Sequence, residues 1–195
     1  MLNSVVDQPS AKRIEHTALN INPGGWAVDT ERPIATLLGS CVAVCIYDTK
    51  LGLGGMNHFL LPSRMKDNNA DIDIVLAGDY AMEVLVNALL GKGAQKKRMV
   101  AKAFGGGAIV NAIRMPIGQR NADFAREWLG RESIPLLASD FGGAWARKVI
   151  CVPATGDAFC RRIPINQAGT EAVVRSELDY EKTLIAPRAP KVDLF

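Results

Sequence analysis

Polar and apolar positions follow two rhythms along this chain. In "CVAVCIYD", residues 41–48, a period of two puts Cys41, Ala43, Cys45 and Tyr47 on one face and Val42, Val44 and Ile46 on the other. Both faces are apolar, which predicts a strand covered on both sides. "GMNHFLLP", ended by Pro62, is the next strand, and the glycine-bearing turn "TKLGLGG" between the two predicts a hairpin. Short apolar runs, "WAVD" after a turn and "IATLL" after Pro33, predict two strands upstream. "RMVAKAF", "IPLLASD", "ARKVICVP" and "AFCRRIPI" predict four downstream.

Two segments carry the helical period instead. Over Ile74–Leu90, Asp79, Glu83 and Asn87 mark a solvent face, while Ala81, Met82, Leu85, Ala88 and Leu89 form a buried stripe. Gly91 and Gly93 supply its stop. A second helix is predicted to start near Asn121, taken as the N-cap with Asp123 in the first turn, and Phe124, Ala125, Trp128 and Leu129 make its apolar stripe. "SRMKDNNADID" reads as a polar loop. The pattern divides the chain into a polar arm (1–15), one domain (16–180) and a proline-bearing, basic tail (181–195). Strands outnumber helices by about three to one, which predicts an α+β fold: mixed or antiparallel sheet layers with helices packed on one face.

Composition narrows the classes. The chain has 195 residues, 48% of them hydrophobic, enough for one domain with a core that needs no disulfide or metal. A net charge of +3 is too mild for a nucleic-acid partner, and "KKR" at Lys96–Arg98 and "RR" at Arg161–Arg162 are short runs beside strands. The opening residues lack the apolar core of a secretion signal, and the longest uncharged run, the one through Cys41, is too short to cross a bilayer. No membrane insertion is expected and the cytoplasm is the expected location, with the four cysteines reduced. There is no C-x-x-C pair and there are two histidines, so no metal site is expected.

The hairpin carries the candidate chemistry. It brings Cys41, at the start of one strand, towards His58 on its partner. A thiol beside an imidazole can exist as thiolate and imidazolium, the nucleophilic pair. Gly39 permits a tight bend, and the amides around Ser40 and Cys41 are placed to meet a developing oxyanion. A cysteine in an apolar strand is also ordinary core, so the pattern alone leaves both readings open. Cys45, Cys151 and Cys160 read as buried and inert, His16 as solvated, and Asn57 as a structural hydrogen-bonder on the opposite sheet face.

"TLLGSCVAVCIYD", "LGGMNHFLLP", "AKAFGGGA", "IGQRNADFAREWL" and "LLASDFGGAWARKV", in that order from about Trp26 to Val152, resemble the chemoreceptor glutamine deamidase family, CheD. The resemblance implies an α/β/β layered sandwich and an enzyme that hydrolyses glutamine side chains of methyl-accepting chemotaxis receptors to glutamate, releasing ammonia through a cysteine thioester. It implies Cys41 as nucleophile, His58 as base and an upstream threonine as third member. The family's threonine stands six residues before the cysteine, where this chain has Ala35; Thr36 is the candidate, with Thr30 as the alternative. No cofactor is implied. Some members bind a CheC-type phosphatase of the response regulator, which makes a binding module the rival reading. A receptor substrate demands an open rim at Cys41. Gly105, Gly106, Gly142 and Gly143 are the candidates for loops approaching the substrate backbone, with ordinary turns as the alternative. Asp140 and Arg147 are the expected ion pair steadying the second loop.

Overall fold

The two-faced strand lies at the centre of the molecule. The computed structural model describes residues 11–61, 70–109, 117–164 and 170–185. Strand β4 (Val42–Asp48) pairs antiparallel with β5 (Leu53–Phe59) on one side, the expected hairpin, and with β6 (Met99–Gly105) on the other. Strand β2 (Trp26–Asp29) extends the sheet beyond β5. Strand β7 (Leu136–Phe141) lies parallel to β6, to which helix α3 (Ile117–Arg131) connects it, and completes the five-stranded order β2-β5-β4-β6-β7. A second sheet has the order β1-β3-β8-β9, built from Leu19–Asn20, Ile34–Leu38, Trp145–Val152 and Asp157–Pro164.

The alternation in β4 assigns the layers. Val42, Val44 and Ile46 pack against Met82, Leu85 and Leu89 of helix α2 (Ala70–Gly91) and against Ala125, Trp128 and Leu129 of α3. Cys41, Ala43 and Cys45 face the other way, onto Ile34, Leu38, Val149 and Cys151 of the second sheet. Each fully buried aliphatic side chain contributes on the order of 1.5–3 kcal/mol, and β4 supplies them to two cores at once. The result is an α/β/β stack. A short helix, α1 (Ala11–Thr17), adds Ile14 to the outer face of the second sheet, beside Ala18, Ala35 and Ile150. Helix α2 stops as expected: Gly93 at φ +94° lets its amide bond Leu90 and the amide of Ala94 bond Leu89. No helix among the described residues is long and apolar enough to cross a membrane.

Four segments differ from the pattern-based expectation. Residues 11–15, placed in the polar arm, begin α1; residues 1–10 lie outside the described residues. Helix α2 begins at Ala70, taking in the end of the run read as a polar loop, whose earlier part also lies outside them. Helix α3 begins four residues before Asn121. That asparagine is not an N-cap. It is fully buried, accepts from the Leu61 amide (2.9 Å) and donates to the Ser40 carbonyl (2.9 Å). A residue type that competes for backbone bonds signals a cap in sequence, but here it bonds backbone from elsewhere in the fold. The fourth is helix α4 (Thr170–Ile185), which no apolar stripe announced and which takes in the first residues of the expected tail, 181–185; residues 186–195 lie outside the described set. Its buried positions among the described side chains are Thr170, Val173 and Glu177, two of them polar, so hydrophobic periodicity does not find it.

The glycines after β6 hold the chain crossing between the sheets. Gly106 donates to the Cys41 carbonyl and Gly107 to the Gly39 carbonyl, both at 2.8 Å, and Gly142 donates to Gly105 at 3.0 Å. Gly105 has φ +121°, and a Cβ there would stand 2.1 Å from the Cys41 carbonyl oxygen. Gly105→Ala is expected to lower unfolding stability by at least about 1–3 kcal/mol, since it adds backbone strain to that clash. Urea denaturation checks this; an unchanged midpoint would reject the role assigned to the glycine.

Candidate active site

Strand β3 belongs to one sheet and β4 to the other, so Gly39-Ser40-Cys41 is a crossing whose amides no strand can satisfy. Their carbonyls are taken up on one side by Gly107, Asn121 and Gly106. Their N–H groups converge on the other side, where they meet the carboxylate of Glu177 from α4. One oxygen, Oε1, accepts from Gly39 (2.7 Å) and Cys41 (3.1 Å); the other, Oε2, accepts from the Ser40 amide (2.7 Å) and the Ser40 hydroxyl (2.8 Å). Successive amides pointing into one concavity form an anion-binding nest.

His58 stands opposite Ala43 in the β4–β5 register, two residues along from Cys41 and on the same sheet face. The Cys41 sulfur, a ring nitrogen of His58 and a Glu177 carboxylate oxygen all lie within 4.8 Å of one another. His58 Nδ1 is 2.8 Å from the Thr36 hydroxyl, which itself donates to the Ile21 carbonyl at 2.8 Å. The hydroxyl's single proton is committed to Ile21, so Nδ1 carries a proton and donates. The lone pair of neutral imidazole is then on Nε2, which is buried and has no partner among the described residues. Thr36 therefore reaches the histidine from the second sheet, five positions before the cysteine. Thr30 is exposed in the turn capped by the Asp29 side chain.

Electrostatics follow from burial. Cys41 is 0% exposed and His58 1%. Burial pulls the imidazole down to about 3 from its ordinary value. Burial, then the adjacent Glu177 charge, raises the Cys41 thiol well above its ordinary value. In this closed arrangement the pair is thiol and neutral imidazole rather than the thiolate–imidazolium expected from spacing. Among the described residues there is likewise no open rim of the kind expected for a receptor substrate: α4 lies across the site.

Cysteine, histidine and glutamate are also metal-ligating types. Both oxygens of Glu177 already accept two hydrogen bonds each, which uses the lone-pair directions a metal needs. The cluster reads as a carboxylate in an amide nest. Gly105 and Gly106 are buried on the carbonyl side of the bend, and the half-buried Gly142 and exposed Gly143 lie next to them, so these glycines shape the bend from behind. The Asp140–Arg147 pair is present at 2.9 Å with Arg147 fully buried, and Arg162 joins Asp140 from β9. Asn57 points to the opposite face, as expected, and donates to the Ala81 carbonyl of α2. Glu177 is the residue that sequence reasoning missed. Its one signal was a charge at helical spacing between Val173 and Tyr180.

A family model for CheD chemotactic sensory transduction matches residues 60–162. The chain belongs to the CheD family. A relative from Dechloromonas aromatica (strain RCB), named "Probable chemoreceptor glutamine deamidase CheD 2", is 54% identical over 190 residues, covering 95% of this chain and 96% of the relative. One of the same name from Burkholderia thailandensis is 40% identical, covering 91% and 93%. A "Probable chemoreceptor glutamine deamidase CheD" from Cupriavidus metallidurans is 40% identical, covering 94% and 87%. The stretch matched by the family model holds the supports of the bend, and the relatives extend the family across Cys41 and His58.

A histidine buried in the neutral form ties stability to pH. Its folded value lies below the unfolded one, so below about 6.5 the unfolded chain binds a proton that the folded chain does not. Stability from this group is complete above that pH and declines as pH falls, by on the order of 2 kcal/mol between pH 7.5 and pH 5. Urea denaturation at both pH values should show this extra loss in the wild type relative to His58→Gln; equal losses would reject it.

Proposed function

We propose that the chain is a cytoplasmic protein-glutamine deamidase that converts glutamine side chains of methyl-accepting chemotaxis receptors to glutamate, releasing ammonia. The observation that carries this reading is a glutamate side chain held in the Gly39–Cys41 amide nest with a thiol and an imidazole beside it. A glutamine carbonyl oxygen fits where Glu177 Oε1 lies, and the names of the relatives support the same reaction.

The chemistry follows from the amide. The Cys41 thiol gives its proton to His58 Nε2 as sulfur attacks the glutamine Cδ. Negative charge developing on oxygen meets the Gly39 and Cys41 amides, each contributing on the order of 3 kcal/mol to the transition state. His58 returns the proton to the leaving nitrogen, the C–N bond breaks and ammonia departs. Water then adds to the thioester with His58 as base, the C–S bond breaks, and glutamate and the thiol are released. Thr36 keeps the proton on Nδ1 throughout and leaves Nε2 for catalysis. Thr36 is thus a positioning residue.

Mass spectrometry of receptor cytoplasmic fragments should show glutamines converted to glutamate. Cys41→Ala abolishes conversion, His58→Ala slows it by on the order of 10²-fold or more, and Thr36→Val lowers kcat about tenfold with KM little changed. Undiminished conversion by Cys41→Ala would reject the reading. Binding of a CheC-type phosphatase is proposed as a separable activity that the Cys41→Ala protein retains.

A further inference from the structure

A receptor cannot reach Cys41 while α4 lies where it does. The thiol is fully buried, and among the described residues the amide side of the bend is covered by α4, with Ile109 beside it. What that helix inserts is chemically the product of the proposed reaction: a glutamate side chain, presented from one face of an α-helix, with one carboxylate oxygen on the amides of Gly39 and Cys41. The nest is shaped for such entry. A Cβ on Gly39 would stand 2.8 Å from Glu177 Oε2 and 2.1 Å from Ile109 Cδ1, so a larger residue there would close the slot.

The rest of α4 is lightly anchored. Thr170, Val173 and Glu177 are buried, and Tyr180 is half-buried against the core between the sheets, close over Gly24. Glu171, Arg175, Leu178, Asp179 and Lys182 face solvent. A helix that spends a buried position on a carboxylate, and places it within 4.8 Å of the sulfur and imidazole, does more than cover a core.

We propose, on the deamidase reading above, that α4 is a resident product mimic. It occupies the seat of the receptor helix with Glu177 where a newly formed glutamate lies, and a receptor must displace it before its own glutamine meets Cys41. The substrate is then a glutamine on an intact helix, with a residue in the place of Val173 one turn before it and one in the place of Tyr180 one turn after. The docked helix also holds the enzyme at rest, because it lies over a fully buried thiol and keeps a carboxylate oxygen within 4.8 Å of the sulfur.

The proposal makes an amide at position 177 a substrate in cis. In Glu177→Gln, Cys41 sulfur attacks Cδ, the C–N bond breaks with ammonia leaving, and water hydrolyses the thioester to restore glutamate and the thiol. Tryptic peptides covering Ser176–Lys182 report the outcome by mass. The expected result is glutamate at 177 in the Glu177→Gln protein and a retained amide in the Cys41→Ala/Glu177→Gln double variant. Alongside it, Glu177→Ala should raise kcat/KM on receptor fragments about tenfold, since a competing occupant no longer reduces the accessible fraction. An amide retained at 177 by a protein that still deamidates receptor fragments would overturn the product mimic and leave the deamidase standing. So would a Glu177→Ala protein slower than wild type. Conversion at neither place would overturn the deamidase reading itself, and the product mimic with it.

Discussion

Three consecutive backbone amides without strand partners are the constraint on which the site depends. They arise because the chain leaves one sheet at Leu38 and enters the other at Val42. Buried N–H groups left unpaired would be costly, so a fold that makes this crossing must offer them an acceptor. A carboxylate, with two oxygens and about four lone-pair directions, satisfies the three amides and the Ser40 hydroxyl together. The same arrangement is what an oxyanion requires, so on the proposed mechanism one backbone meets both a structural and a catalytic need.

Burial and reactivity pull against each other at Cys41. A thiol at the edge of the inter-sheet core is inert while sealed, because low dielectric disfavours the thiolate and the neighbouring carboxylate disfavours it further. The histidine is held neutral by the same burial. The geometry that the proposed mechanism needs is nonetheless built in advance. Thr36 fixes the tautomer through a hydroxyl whose own proton is committed to Ile21, and the strand register fixes the ring's side of the sheet. On the product-mimic proposal, a change of occupant in the nest, with the sheets as they are, separates the resting state from a working one.

Much of this was legible in the sequence, and what was not had a physical reason. The period of two in residues 41–48 separated the helix-facing side chains from the sheet-facing ones, because each face packs on a different apolar layer. The hairpin placed His58 near Cys41 because side-chain direction alternates strictly along a strand. The shift from Ala35 to Thr36 was not interpretable in sequence, since Thr36 meets His58 across the gap between two sheets rather than along one strand. Asn121 looked like a cap because propensity describes local competition for backbone bonds, whereas its partners, Ser40 and Leu61, are 81 and 60 residues away. Helix α4 was missed because its buried face is largely polar, and Glu177 because its partners lie 136 to 138 residues away.

The four groups that meet at the site come from four places: Thr36 from one sheet, His58 from the other, Cys41 from the crossing and Glu177 from the last described helix. No one of these elements holds two of the four groups by itself. The glycines on the carbonyl side of the bend and Asn121 on α3 keep the crossing fixed while its amide side remains a slot for a side chain. Rigidity and access are thereby divided between the two faces of a three-residue bend. Substitutions behind it should act mainly through stability, and substitutions in front of it mainly through which carboxylate or amide the nest receives.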